Sequence, residues 1–228
     1  MTITVKINLA LYPMGVYIVS MRYVLVGLMV LSAFSAQARV VSYPGGTAVS
    51  TEVAEDHVIA SATYSPSAFH SFGLTTQHFT DDNAWLHTVD VNWLAYRHNA
   101  ARAQTNFYVI GGAGVAQEGD NTEPAARLGL IADWENRRWM VAYQNHYIAT
   151  DDAITESHFE QRARVGIAPY KASYGAWQPW IILQADHEPE DDTPLEVGPV
   201  LRVFKDSVLA ELGVTNRRTI FAALNLQF

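Results

Sequence analysis

Charged residues recur at every second position in several stretches of the chain, and that spacing limits what chemistry they can do. Glu160, Arg162 and Arg164 alternate with Phe159, Ala163, Val165 and Ile167, and Glu196 and Arg202 oppose Val197, Pro199, Leu201 and Val203. Successive side chains of an extended chain point to opposite faces, so each stretch carries an ionic face and an apolar one. The ionic faces collect Asp90, Arg127, Asp133, Glu160, Arg162, Arg164, Asp186, Glu196, Arg202 and Glu211, six carboxylates to four guanidiniums. Charges withdrawn from bulk water must find partners, and arginine pairs with carboxylates in a bidentate fashion. The expectation is a charge network lining a lumen, either a plug of ion pairs or a polar conduit of weak selectivity.

Other chemistry finds less support. The eight histidines, His57, His70, His78, His87, His98, His146, His158 and His187, are scattered, and none forms a His-x3-His pair or a His-Glu-x2-His pattern. Ser157-His158 with Glu160, or His70-Ser71, comes nearest to a hydrolase constellation. Adjacent strand residues face opposite ways, however, so Ser157 and His158 are not direct partners. The acidic stretches Asp81-Asp82, Asp151-Asp152 and His187-Glu188-Pro189-Glu190-Asp191-Asp192 offer oxygen ligands that suit Ca²⁺ or Mg²⁺ but match no calcium-loop spacing. They read as solvated turns. Gly111-Gly112-x-Gly114 lies inside a strand pattern with no helix after it, which suits relief of crowding better than phosphate binding. The sequence therefore predicts no catalytic set, no metal site and no cofactor.

The elements that position these residues are strands. Alternating segments separated by turn residues run over 46–53, 57–64, 68–79, 84–97, 104–116, 125–134, 138–149, 157–170, 176–187, 195–204, 207–214 and 218–228, twelve in all, with ten as the alternative count. Within 84–97, Val89, Val91, Trp93 and Ala95 oppose Thr88, Asp90, Asn92 and Tyr96. A soluble sandwich also alternates. In a membrane barrel the faces are inverted, with the polar face in the lumen and the apolar one against lipid. Aromatics near segment ends, Tyr64, Phe79, Trp85, Trp134, Trp139, Tyr147, Tyr170, Trp177 and Phe228, would form interface girdles.

The turns sort by charge. The first five odd connections carry Glu55, Asp56, Asp81, Asp82, Glu118, Asp120, Glu123, Asp151, Asp152, Glu188, Glu190, Asp191 and Asp192 with no Lys or Arg. The even ones carry Arg97, Arg102, Arg137, Arg138, Lys171 and Lys205 against Glu135 and Asp206. Arg217 and Arg218 in the eleventh break the rule and call for a local acidic contact.

A chain of 228 residues with a net charge of −8 suits one folded domain and argues against nucleic acid as a partner. With no cysteine there is no disulfide framework. Met21-Arg22, the apolar run from Tyr23 to Phe34 and Ala36-Gln37-Ala38 read as a secretory signal with cleavage after Ala38. Residues 1–38 are then an extension plus signal peptide with translation starting at Met21, and 39–228 the mature domain.

The last strand carries apolar Ile220, Ala222, Leu224, Leu226 and a terminal Phe228 on one face. It resembles the closing strand of small Gram-negative outer-membrane β-barrels. The resemblance implies an all-β, closed antiparallel up-and-down transmembrane barrel of structural or porin-like type. It also implies that Phe228, Leu226, Leu224 and Ile220 form the signal read by the barrel assembly machinery, with periplasmic chaperones, outer-membrane lipids and lipopolysaccharide as partners. The oligomeric state is left open. A lipid-modifying outer-membrane hydrolase and a periplasmic β-sandwich binding protein are the competing readings.

Overall fold

The computed structural model describes residues 40–80, 83–151, 153–173, 175–190 and 194–228. The expected signal segment, residues 1–38, lies outside them, as do Asp81, Asp82, Asp152, Asp191 and Asp192 of the acidic turns.

Twelve strands follow one another: β1 (Gly46–Val53), β2 (His57–Ser65), β3 (His70–Phe79), β4 (Ala84–Asn99), β5 (Ala103–Glu118), β6 (Asn121–Asn136), β7 (Trp139–Ala149), β8 (His158–Ile167), β9 (Gln178–His187), β10 (Leu195–Lys205), β11 (Val208–Val214) and β12 (Ile220–Gln227). Each pairs antiparallel with its neighbour in sequence, and β12 pairs with β1 to close the barrel. The seam is zipped to the last residue, since the Phe228 N–H donates to the Thr47 carbonyl at 2.8 Å and the Thr47 N–H to the Phe228 carbonyl at 2.9 Å. Closure removes the unpaired strand edges that an open sheet would expose.

The alternation resolves as an inversion of the soluble pattern. Leu74, Leu128, Ile181, Leu201 and Leu212 are more than half exposed on the outside, whereas Asp90 and Glu211 are buried inside at 4% and 7%. This is the arrangement of a transmembrane barrel, greasy toward lipid and polar within. Of the aromatics expected in girdles, Tyr64, Trp134, Trp139, Tyr170, Trp177 and Phe228 are exposed around the end that carries the chain terminus, and Trp85 and Tyr147 at the far end. Phe79 departs from the expectation, for it packs inward against a buried cluster and lies edge-on to His158 at 5.8 Å.

Two local features correct the simple alternation. The register between β4 and β5 shifts between Leu94 and Tyr96, so Ala95 is the extra residue of a bulge and every face after it is exchanged. Tyr96, expected on the polar face, is exposed on the outside, while Arg97 turns in. Strand β6 begins at Asn121, so Glu123 is a strand residue pointing inward and not part of a turn. Its buried carboxylate accepts from the Ala153 and Thr155 amides, tying the connection after β7 to the barrel wall.

The interior is not wholly polar. Met140, Trp180, Ile182, Val200 and Phe221 form one buried apolar cluster, Leu86, Ala116, Ala125 and Ile148 a second, and Val41, Leu94 and Tyr108 a third. In the third, the segment ahead of β1 folds into the barrel. Ser71 Oγ donates to the Val40 carbonyl, the Ser42 amide donates to Ser65 Oγ at 2.9 Å, and Val41 is 1% exposed.

Candidate functional site: ion pairs across the lumen

Arg162 and Glu52 stand on β8 and β1, five strands apart around a ring of twelve. They are therefore almost opposite one another, yet their side chains meet. Arg162 Nη1 donates to Glu52 Oε2 at 3.1 Å and Nη2 to Oε1 at 3.0 Å, a bidentate pair spanning the lumen. The third guanidinium nitrogen, Nε, donates to Asp186 Oδ1 on β9, its direct cross-strand neighbour. The guanidinium lies 5.8 Å from the Phe221 ring centroid. One arginine thus holds carboxylates on two walls and spans the lumen at that level.

A second group lies beside it. Glu211 on β11 takes two guanidiniums, Arg164 of β8 at 3.1 Å and Arg202 of β10, with which it is in cross-strand register. A third runs along the wall of the long strands. Thr75 Oγ1 donates to Asp90 Oδ2, Arg127 Nη1 stands 4.0 Å from the same carboxylate, and Arg127 Nη2 lies 2.9 Å from His146 Nε2. His146 Nδ1 is 3.5 Å from Glu160. Gly112 makes this chain possible. It is in register with Asp90 on one side and Arg127 on the other, and a Cβ there would collide with Asp90 Oδ1.

The ten charges expected in one network are thus divided. Asp133 accepts from Asn106 Nδ2 at 2.7 Å, and the same Asn106 accepts from Arg97 Nε, nearer the C-terminal end. Glu196 lies at the far rim, 3.0 Å from Arg217, the local acidic contact that the eleventh connection required. Sequence reasoning missed Glu52 and His146. The parity of β1 does place Glu52 with Ala48 and Ser50, but no local pattern says that β1 faces β8 across a lumen.

Between the Arg162 bridge and the C-terminal end lies a cavity of about 610 Å³, lined by Tyr108, Met140, Trp180 and Phe204 together with Arg164, Arg202 and Glu211, and reaching Arg102 and Arg137 in the turns. At the far end, His57 Nδ1 is 3.1 Å from Asp56 and its Nε2 3.6 Å from Glu52. The hydrogen bond from His57 holds the Asp56 carboxyl below the usual carboxylate range, and burial pushes the Glu188 carboxyl above it, helped by the charges of Glu160 and Asp56.

The histidine and serine pairs considered as catalytic have other engagements. Ser157 Oγ donates to the Thr150 carbonyl, while His158 Nδ1 faces the Glu156 carbonyl. His70 Nδ1 is 3.3 Å from Ser67 Oγ in an exposed turn. Among the described residues, no cluster of three or more His, Asp or Glu could hold a metal ion.

No protein-family model matches the chain, and no curated protein does. Among solved structures it is similar to the KdgM porin, with a TM-score of 0.49 and 8% identity over 80% of this chain and 98% of that one. A structure described as the KdgM porin in complex with disordered oligogalacturonate gives the same score and coverage at 7% identity.

Proposed function

We propose that the protein is a non-catalytic, porin-like barrel of the Gram-negative outer membrane that admits small solutes through a polar lumen narrowed at the Arg162 bridge. The observation that carries this reading is the inversion of faces. Apolar side chains such as Ile181, Leu183 and Leu201, exposed on the outside, would be costly in water, and the inward-turned charges of Asp90, Arg162 and Glu211 need a lumen in which to pair. In that reading the basic even turns lie in the periplasm and the acidic odd turns face outward. The mature chain begins at Arg39, and the exposed apolar band contacts lipid and lipopolysaccharide. Phe228 and the apolar face before it, Ile220, Leu224 and Leu226, serve as the recognition strand for the barrel assembly machinery after periplasmic chaperones deliver the chain.

The test is reconstitution of the refolded barrel in planar bilayers with recording of single-channel currents. Discrete conductance steps are expected, together with heat-modifiable migration in detergent. A protein that conducts nothing but releases fatty acids from lipid, as read by mass spectrometry, would replace this reading with that of a hydrolase. Migration insensitive to heating, with monodisperse behaviour in the absence of detergent, would replace it with a soluble sandwich.

A further inference from the structure

We propose that Arg164, with Arg202, forms a binding subsite for the carboxylate of a small organic anion in the half of the lumen nearer the C-terminus. The inference rests on the porin-like reading only for how the solute arrives. Glu211 is the carboxylate that both guanidiniums share, Arg164 through Nη1 and Arg202 through Nε. The two arginines also differ from Arg162 in what is left over. Arg162 engages all three of its nitrogens with Glu52 and Asp186, whereas the buried Nε–H of Arg164 has no hydrogen-bond partner among the described residues. Arg202 Nη1 points at Met140 Sδ, 3.4 Å away, a weak acceptor for a guanidinium.

Buried donors without acceptors are rare because they give up their hydration for nothing, and a ligand oxygen is what such a group lacks. Both arginines line the 610 Å³ cavity, whose other walls supply the remainder of the specificity. Met140 and Trp180 belong to an apolar cluster and would receive the carbon skeleton of the solute. The other carboxylates that line the cavity, Glu52, Asp133 and Glu135, already have partners of their own. Arg102 and Arg137 stand where the cavity meets the turns, and a basic mouth raises the local concentration of anions.

Isothermal titration of the full-length barrel in detergent, at low ionic strength, compares butyrate with its neutral isostere butyramide. Butyrate is expected to bind and butyramide to bind at least about tenfold more weakly, the usual worth of a charge-assisted hydrogen bond. Arg164→Lys keeps the charge beside Glu211 but lacks the Nε donor, and is expected to weaken butyrate about tenfold while retaining heat-modifiable migration. Equal binding of butyrate and butyramide by the wild type would overturn the inference whether or not the variant folds. So would unchanged butyrate affinity in folded Arg164→Lys. Binding without single-channel conductance would remove the porin-like reading and leave the subsite standing. Conductance without discrimination would do the reverse.

Discussion

Replacing Glu52 with Gln removes one arm of the Arg162 bridge while leaving the shape of the side chain unchanged. Both partners are about four-fifths buried, with side-chain exposures of 18% and 19%, and two charge-assisted hydrogen bonds join them. A buried pair broken from one side costs about 3–5 kcal/mol when the survivor is left uncompensated. Here Arg162 keeps Asp186, and the Gln amide oxygen still accepts one bond, so about 2 kcal/mol is expected. Arg162→Gln takes the shared arginine from Glu52 and Asp186 at once, leaving them only His57 and Gln184 among the described residues, and should cost more than Glu52→Gln. The double variant should restore part of the loss, giving a coupling of about 1.5–3 kcal/mol between the two positions. Urea unfolding in detergent micelles reads the stability, and planar-bilayer recording reads the lumen. Because the bridge joins strands on nearly opposite walls, Glu52→Ala, which removes it altogether, should also raise single-channel conductance. Wild-type conductance in Glu52→Ala, with additive stability effects in the Gln cycle, would mean that the bridge neither narrows the lumen nor couples the walls.

The other predictions concern separate parts of the barrel. Gly112→Ala places a methyl group where Asp90 Oδ1 sits, so the Thr75–Asp90–Arg127 chain must shift; a loss of about 1–3 kcal/mol in urea unfolding is expected. Phe228 contributes main-chain bonds to Thr47 whatever its side chain, so Phe228→Ala should lower the yield of outer-membrane protein in cells and leave the melting of the refolded barrel nearly unchanged. The carboxyl of Glu188 is raised in the fold, which means that its ionised form is disfavoured there and detracts from stability once the pH exceeds its ordinary range. Glu188→Gln should therefore be more stable than wild type at neutral pH, with the difference vanishing as the pH falls below the ordinary carboxylate range in a series of unfolding curves. Asp56 has the opposite sign. Its carboxyl is lowered by His57, so the stability it contributes is present at neutral pH and is lost as the pH falls through its native value, and Asp56→Asn should remove that part of the acid sensitivity.

The strand count, the order of the turns and the direction of nearly every side chain were legible in the sequence because a period of two is a local property. It survives any tertiary arrangement, so Leu201 and Arg202 face opposite ways whatever lies across from them. The exceptions are instructive. The bulge at Ala95 carries no glycine or proline to announce it, and it sends Tyr96 out and Arg97 in. Glu123 sits among turn-like residues, and only the amides of Ala153 and Thr155, some thirty positions later, give its carboxylate a reason to turn inward. The pairing of the lumen charges lay further out of reach. Cross-strand neighbours such as Arg202 and Glu211 follow from hairpin register, which a sequence can suggest. Glu52 and Arg162 are 110 residues apart and meet only because twelve strands close into a ring narrow enough for two long side chains to span. The sequence by itself determined that each strand carries an ionic and an apolar face; the closure of the barrel decided which inward residues would touch, because distance across a lumen depends on strand number and cross-section and on nothing that neighbouring residues encode.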